Sequence, residues 1–108
     1  MQTQAPRPNF WQSLPRPFFV MAPMADVTDP AWRALVAKHG KPDVFWTEFV
    51  SADGLYHTRE IQKIPDSENP LMRDLQFTND QHPIVAQIFS NKPEMISYAA
   101  KLIAELGF

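Results

Sequence analysis

Three apolar runs and two helical stripes set the rhythm of the chain. Phe18 to Met24 (Phe-Phe-Val-Met-Ala-Pro-Met) is apolar throughout, lacks period-two alternation and is bounded by Pro17 and Pro23. A short continuous run of this kind predicts a strand buried on both faces, as in a parallel sheet. Pro23 has no N–H to give a ladder, so it marks the strand's C-terminal end. Asp43 to Val50 is β-branched and aromatic and predicts a second buried strand. Pro83 to Phe89 predicts a third, apolar except for Gln87.

Between these runs the period changes to that of a helix. Asp29 can cap and Pro30 supplies a preset first helical position; Trp32, Leu35, Val36 and His39 then form one stripe, and Gly40 stops it. Pro93 opens a second helix with a wide apolar face of Met95, Ile96, Ala99, Leu102, Ile103 and Leu106, stopped by Gly107. The middle is less regular. Gly54 to Ile64 reads as a short helix with a ragged stripe, Pro65 to Pro70 as loop, and Leu71 to Phe77 as an extra strand. Buried strands alternating with amphipathic helices imply right-handed crossovers and an α/β fold. Residues 1–17 form a Pro-rich N-terminal arm, with Phe10, Trp11 and Leu14 as anchors on the body.

Composition narrows the chemistry. The 108 residues include no cysteine, which excludes a disulfide framework, a thiolate metal site and a cysteine nucleophile or acid in this chain. A net charge of −2 provides no broad positive field, so nucleic acid binding by counterion release is not expected of this stretch alone. No run is long enough to span a bilayer and no secretory signal is visible, so cytoplasmic residence is the expectation. His39, His57 and His82 lack metal-ligand spacing, and three glycines make no phosphate loop. No metal is therefore expected.

Ligands in α/β folds sit outside the C-terminal ends of parallel strands, and each predicted end carries something a plain core strand would not. Gln87 places an amide in an apolar run; burial without a partner costs roughly 1–3 kcal/mol. A neighbouring loop, a buried water or a ligand's ring heteroatoms could satisfy it. Glu48 follows Thr47 at the second end and can pair with Arg33, cap a helix or act as a base. Pro23 and Met24 can form a core turn, or set a fixed backbone and a soft side chain against a flat ring.

Taken together, Ala22-Pro23-Met24-Ala25-Asp26-Val27-Thr28-Asp29, Arg33, Thr47-Glu48-Phe49-Val50-Ser51-Ala52 and Pro83-Ile84-Val85-Ala86-Gln87-Ile88-Phe89 resemble the opening third of the tRNA-dihydrouridine synthases. The resemblance covers residues 18–108 and implies the first three or so βα units of a TIM (β/α)8 barrel, truncated, since a complete barrel takes about 250 residues. It implies FMN at the barrel mouth, with Pro23, Met24 and Ala25 along the isoalloxazine, Gln87 hydrogen-bonding the ring and Glu48 a candidate lining residue. It also implies the reaction: NADPH reduces FMN, and hydride passes to C6 of a uracil in tRNA to give 5,6-dihydrouridine. The family's proton donor is a cysteine in an Asn-x-Gly-Cys-Pro segment. That segment is not in this sequence, so the expectation is a chain without its catalytic acid, inactive alone, with tRNA held by parts outside it. Two other readings compete: another FMN-dependent barrel oxidoreductase acting on a small molecule, and a non-enzymatic half-barrel interaction module.

Overall fold

The computed structural model describes residues 9–108. The first helix, α1 (Pro30–Gly40), starts where the sequence places it: Asp29 Oδ1 accepts the Trp32 N–H at 2.8 Å and Pro30 takes the first turn. Strand β1 (Phe45–Ser51) leads directly into α2 (Ala52–Tyr56), whose cap is Ser51 Oγ accepting the Gly54 N–H at 3.0 Å. A π turn, His57–Ile61, prolongs α2. After a 3-10 turn at Asp66–Glu68 comes α3 (Pro70–Asp74), then β2 (Ile84–Phe89) and α4 (Pro93–Leu106). No helix among the described residues is long and apolar enough to cross a membrane.

The strands β1 and β2 pair in parallel, Phe45 opposite Ile84 and Trp46 opposite Val85. The register then slips by one residue, so that Phe49 faces Gln87, Val50 faces Ile88 and Ser51 faces Phe89. One face of this sheet is covered: Val50 joins Ala52, Leu55, Met72, Leu75, Ala99 and Leu102 in the core, with Ala86, Ile88 and Ile103 packed against it. Helices of five residues such as α2 and α3 do not stand alone in water; burial of each large apolar side chain, worth roughly 1.5–3 kcal/mol, holds them here. The opposite face is open. Phe49 and Phe89 stand there half-exposed, their rings 5.3 Å apart.

Several expectations need correction. The Phe18 to Met24 run is extended and parallel to β1, but it forms a single bridge, Val20 with Val44, and is not buried: Phe19 is 71% exposed. Bonds from Met21 N–H to the Val44 carbonyl (3.0 Å) and from Asp43 N–H to the Phe19 carbonyl (2.9 Å) fasten one edge. A parallel strand is buried only when both its faces are covered, and here they are covered only in part, at Phe18 and Met21. On α1, Trp32 and Leu35 lie exposed while Arg33 is completely buried, the reverse of the stripe expected. Leu71 to Phe77 is not a strand but begins inside α3, because Asn69 caps it by accepting the Leu71 N–H and Pro70 opens it.

Residues 1–8 of the expected arm, including Pro6, Arg7 and Pro8, lie outside the described residues. From Phe10 to Ser13 the chain makes one 3-10 turn, with Trp11 5.6 Å from Phe18 and 6.5 Å from Trp46 between ring centres. Leu14 borders a hollow with Pro83, Ile84 and Phe108.

Candidate functional site

The turn after the first extended segment is fixed from both ends. The Met24 carbonyl accepts from Val27 N–H (3.1 Å), Thr28 N–H (3.0 Å) and the Thr28 hydroxyl (3.1 Å), while Met24 N–H donates to Thr28 Oγ1 at 3.0 Å. Thr28 is fully buried. Asp26 sits in the left-handed region at φ +63°, and its N–H donates to the Glu48 carboxylate on β1. Glu48 is thus neither paired with Arg33 nor free: it anchors a turn. The backbone of Pro23, Met24 and Ala25 is held while the Met24 side chain stays about half-exposed.

Behind the turn, Arg33 replaces the expected apolar contact with a polar one. Its Nη1 donates to the Thr28 carbonyl at 2.7 Å, and its Nη2 to the carbonyls of Asp74 (3.1 Å) and Gln76 (2.8 Å). Nε has no partner. Loss of solvent lowers the guanidinium pKa from its ordinary value, opposed by the fields of Glu48, Asp29 and Asp74. Arg33 therefore ties α1 to the segment after α3. A helix-period count misses it, because it scores every arginine as surface.

The ends of β1 and β2 are joined by a side chain. Thr47, fully buried, donates its hydroxyl to the Glu48 carbonyl at 2.9 Å and accepts the Gln87 N–H at 3.1 Å. The Gln87 side chain is exposed rather than buried, because period-two alternation puts it on the open face with Phe49 and Phe89. No buried amide needs satisfying, and the group is available to a ligand.

Sequence reasoning did not find a further cluster at the same end. The Ser90 hydroxyl donates to Asp53, the Lys92 N–H donates to Ser90 Oγ at 3.0 Å, and Lys92 Nζ lies 3.4 Å from Asp53 Oδ2. The Ser90 hydrogen bond, then Lys92, holds the Asp53 carboxyl below its ordinary range against some desolvation. Nothing in the spacing announces the cluster; the available signal was that Ser90 directly follows one predicted strand end and Asp53 lies three residues past another.

Pro23, Met24, Ala25, Glu48 and Gln87 are thus linked through Asp26 and Thr47 at one end of three parallel segments. A held backbone, a soft thioether, a free amide and two half-exposed aromatic rings suit a planar heteroaromatic ligand. A hollow of about 740 Å³ lies elsewhere, lined by Met72, Leu75, Phe77 and Leu106 among others. His82 bonds the Gly107 carbonyl at 2.8 Å and takes no part. Among the described residues no group of three ligating side chains gathers to hold a metal ion.

Comparison with known proteins identifies this arrangement's relatives. The family model of dihydrouridine synthase (Dus) matches residues 20–108. The chain is 47% identical over 100 residues to the probable tRNA-dihydrouridine synthase 2 of Bacillus subtilis (strain 168), covering 93% of this chain and 29% of that protein. It is 41% identical over 100 residues to the probable tRNA-dihydrouridine synthase of Staphylococcus aureus (strain Mu50), covering 93% and 28%. The chain spans under a third of the length of the curated relatives it matches. No solved structure matches it. Since the family match runs through nearly all the described residues, the chain belongs to the dihydrouridine synthase family.

Proposed function

We propose that this chain forms the first strand ends of an FMN site in a TIM-barrel enzyme that reduces uridine in tRNA to 5,6-dihydrouridine, with NADPH as reductant. The observation that carries the reading is the linkage of Pro23, Met24 and Ala25 to Gln87 at one end of the sheet, through Glu48 and Thr47. In this reading the Pro23 to Ala25 backbone and the Met24 side chain hold the flavin's flat ring. The exposed Gln87 amide offers a donor and an acceptor to its heteroatoms. FMN, when bound, supplies the hydride chemistry that no amino-acid side chain supplies. The chain's own residues bind and orient. Glu48, occupied by the Asp26 amide, keeps the turn in place and is not assigned a proton to move.

No cysteine stands in the 108 residues, so no residue here is assigned as proton donor to the uracil. The tRNA is the proposed substrate; with a net charge of −2, these residues do not supply its phosphate grip. The cytoplasm is the proposed compartment.

Two measurements on the full protein carrying this sequence test the proposal. Bound flavin should show in the visible spectrum of the purified protein, and tRNA from cells lacking the gene should lose dihydrouridine at one or more positions by mass spectrometry. Unchanged dihydrouridine together with no flavin binding sinks it. A small-molecule reductase would instead bind flavin and leave tRNA unchanged.

A further inference from the structure

The slip in register between β1 and β2 decides which side chains reach the open face. Phe45 and Ile84 start the pairing on the covered side, and strict alternation from Phe45 would send Phe49 to the core and Val50 outward. The opposite is found: Val50 is 1% exposed within the core and Phe49 is 53% exposed. One extra residue in β1, at Thr47 and Glu48, reverses the alternation. A bulge of this kind re-aims side chains and is enriched beside active sites.

A bulge also interrupts the ladder, and the interruption here is filled by a hydroxyl. The Phe45 N–H donates to the Pro83 carbonyl at 2.9 Å, the regular parallel pattern. Continued two residues further, that pattern would bring the Gln87 N–H to the Thr47 carbonyl. The Gln87 N–H instead meets Thr47 Oγ1 at 3.1 Å, and the same hydroxyl donates to the Glu48 carbonyl at 2.9 Å. Thr47 is completely buried, so no water can take over either role.

We propose that Thr47 is a positioning residue: its hydroxyl holds the bulge that turns Phe49 onto the open face, fixes the Gln87 backbone beside it and seats Glu48 on the Asp26 amide. The inference rests on the flavin reading above for what Gln87 touches, but not for the bulge itself. Valine matches threonine in shape and lacks the hydroxyl; serine keeps the hydroxyl and lacks the methyl.

The test compares wild type, Thr47→Val and Thr47→Ser in the full protein carrying this sequence. Without flavin, hydrogen exchange at the Gln87 amide should quicken about tenfold in Thr47→Val and return to the wild-type rate in Thr47→Ser. With flavin, FMN affinity should fall about tenfold in Thr47→Val. At saturating FMN its visible absorption should shift toward that of Gln87→Ala, a change that lost stability alone does not produce. Wild-type exchange, affinity and spectrum in Thr47→Val overturn the proposal. If Thr47→Val does not fold, Thr47→Ser decides: wild-type Gln87 exchange supports the hydroxyl's role, and failure of the serine variant overturns it. A wild-type protein that binds no FMN removes the flavin reading, and the exchange comparison alone then decides for or against Thr47.

Discussion

The Asp26 amide donates to the Glu48 carboxylate across 22 positions of sequence, and this bond closes the exposed turn onto β1. Asp26 occupies the left-handed region at φ +63°, a conformation that costs a non-glycine residue about 1–2 kcal/mol and that aspartate tolerates better than most. The turn therefore depends on an external partner. Glu48→Ala should destabilise the protein by about 1–3 kcal/mol by leaving a part-buried N–H unpaired, whereas Glu48→Gln, which keeps a carbonyl acceptor, should cost clearly less. Urea titration of both variants checks this. An alanine variant as stable as wild type would remove Glu48 as the turn's anchor.

Arg33 holds three carbonyls from two segments with two nitrogens, a fork that a lysine ammonium cannot reproduce. Arg33→Lys should cost about 2 kcal/mol or more, since hydrogen bonds to a charged group contribute roughly 1.5–3 kcal/mol. Lys38→Ala, an exposed change on the same helix, should stay within about 0.5 kcal/mol. Thermal melting of the two variants gives the comparison. Equal effects would mean that the Arg33 contacts contribute no net stability.

The contrast between these residues shows what sequence could convey. The start of α1 at Asp29 and Pro30, the course of β2 and the stop of α4 at Gly107 were legible, because caps and stops are local chemistry. That the three segments run parallel and bring their ends together was legible from the order of strands and helices. Burial was not. Gln87 was expected inside because its neighbours are apolar, yet helices cover only one face of β2. Arg33 was considered only as a partner for Glu48, yet carbonyls from distant segments surround it. Both depend on what packs against an element, information that period and composition do not hold. The bulge at Thr47 was hidden for a related reason, since a nearly continuous apolar run gives no alternation to reveal a slip.

Asp53 should carry a measurable acid dependence. Its pKa is held below the ordinary carboxylate value, first by the Ser90 hydroxyl and then by Lys92, so the folded state favours the ionised form. A group depressed in this way contributes stability that is complete above its unfolded value, about 3.9, and is lost as pH falls through the lower native value. Ser90→Ala should move the Asp53 titration, followed by NMR of its side-chain carboxyl carbon, back toward the ordinary range. Asp53→Asn should flatten that part of the acid limb of stability. A titration unmoved by Ser90→Ala would mean that the hydrogen bond does not set it.

Gly107 ends α4 with φ +96°, its N–H donating to the Ala104 carbonyl at 3.2 Å and the next N–H, of Phe108, to Ile103 at 3.3 Å. The turn does more than stop a helix: His82 bonds the Gly107 carbonyl, and the Phe108 ring lies 4.5 Å from that of Phe77. A methyl group added at Gly107 would meet only Phe77 Cζ, at an ordinary 3.8 Å, so space is no obstacle to alanine. The penalty comes from the backbone alone. Gly107→Ala should cost about 1–2 kcal/mol for a left-handed residue with a Cβ, and Gly107→Asn less, because asparagine is the other residue found at this cap. Chemical denaturation of both variants tests the order. If alanine costs nothing, the helix end must rearrange, and then the contact of His82 with the Gly107 carbonyl, read from the His82 ring shifts, should be lost as well.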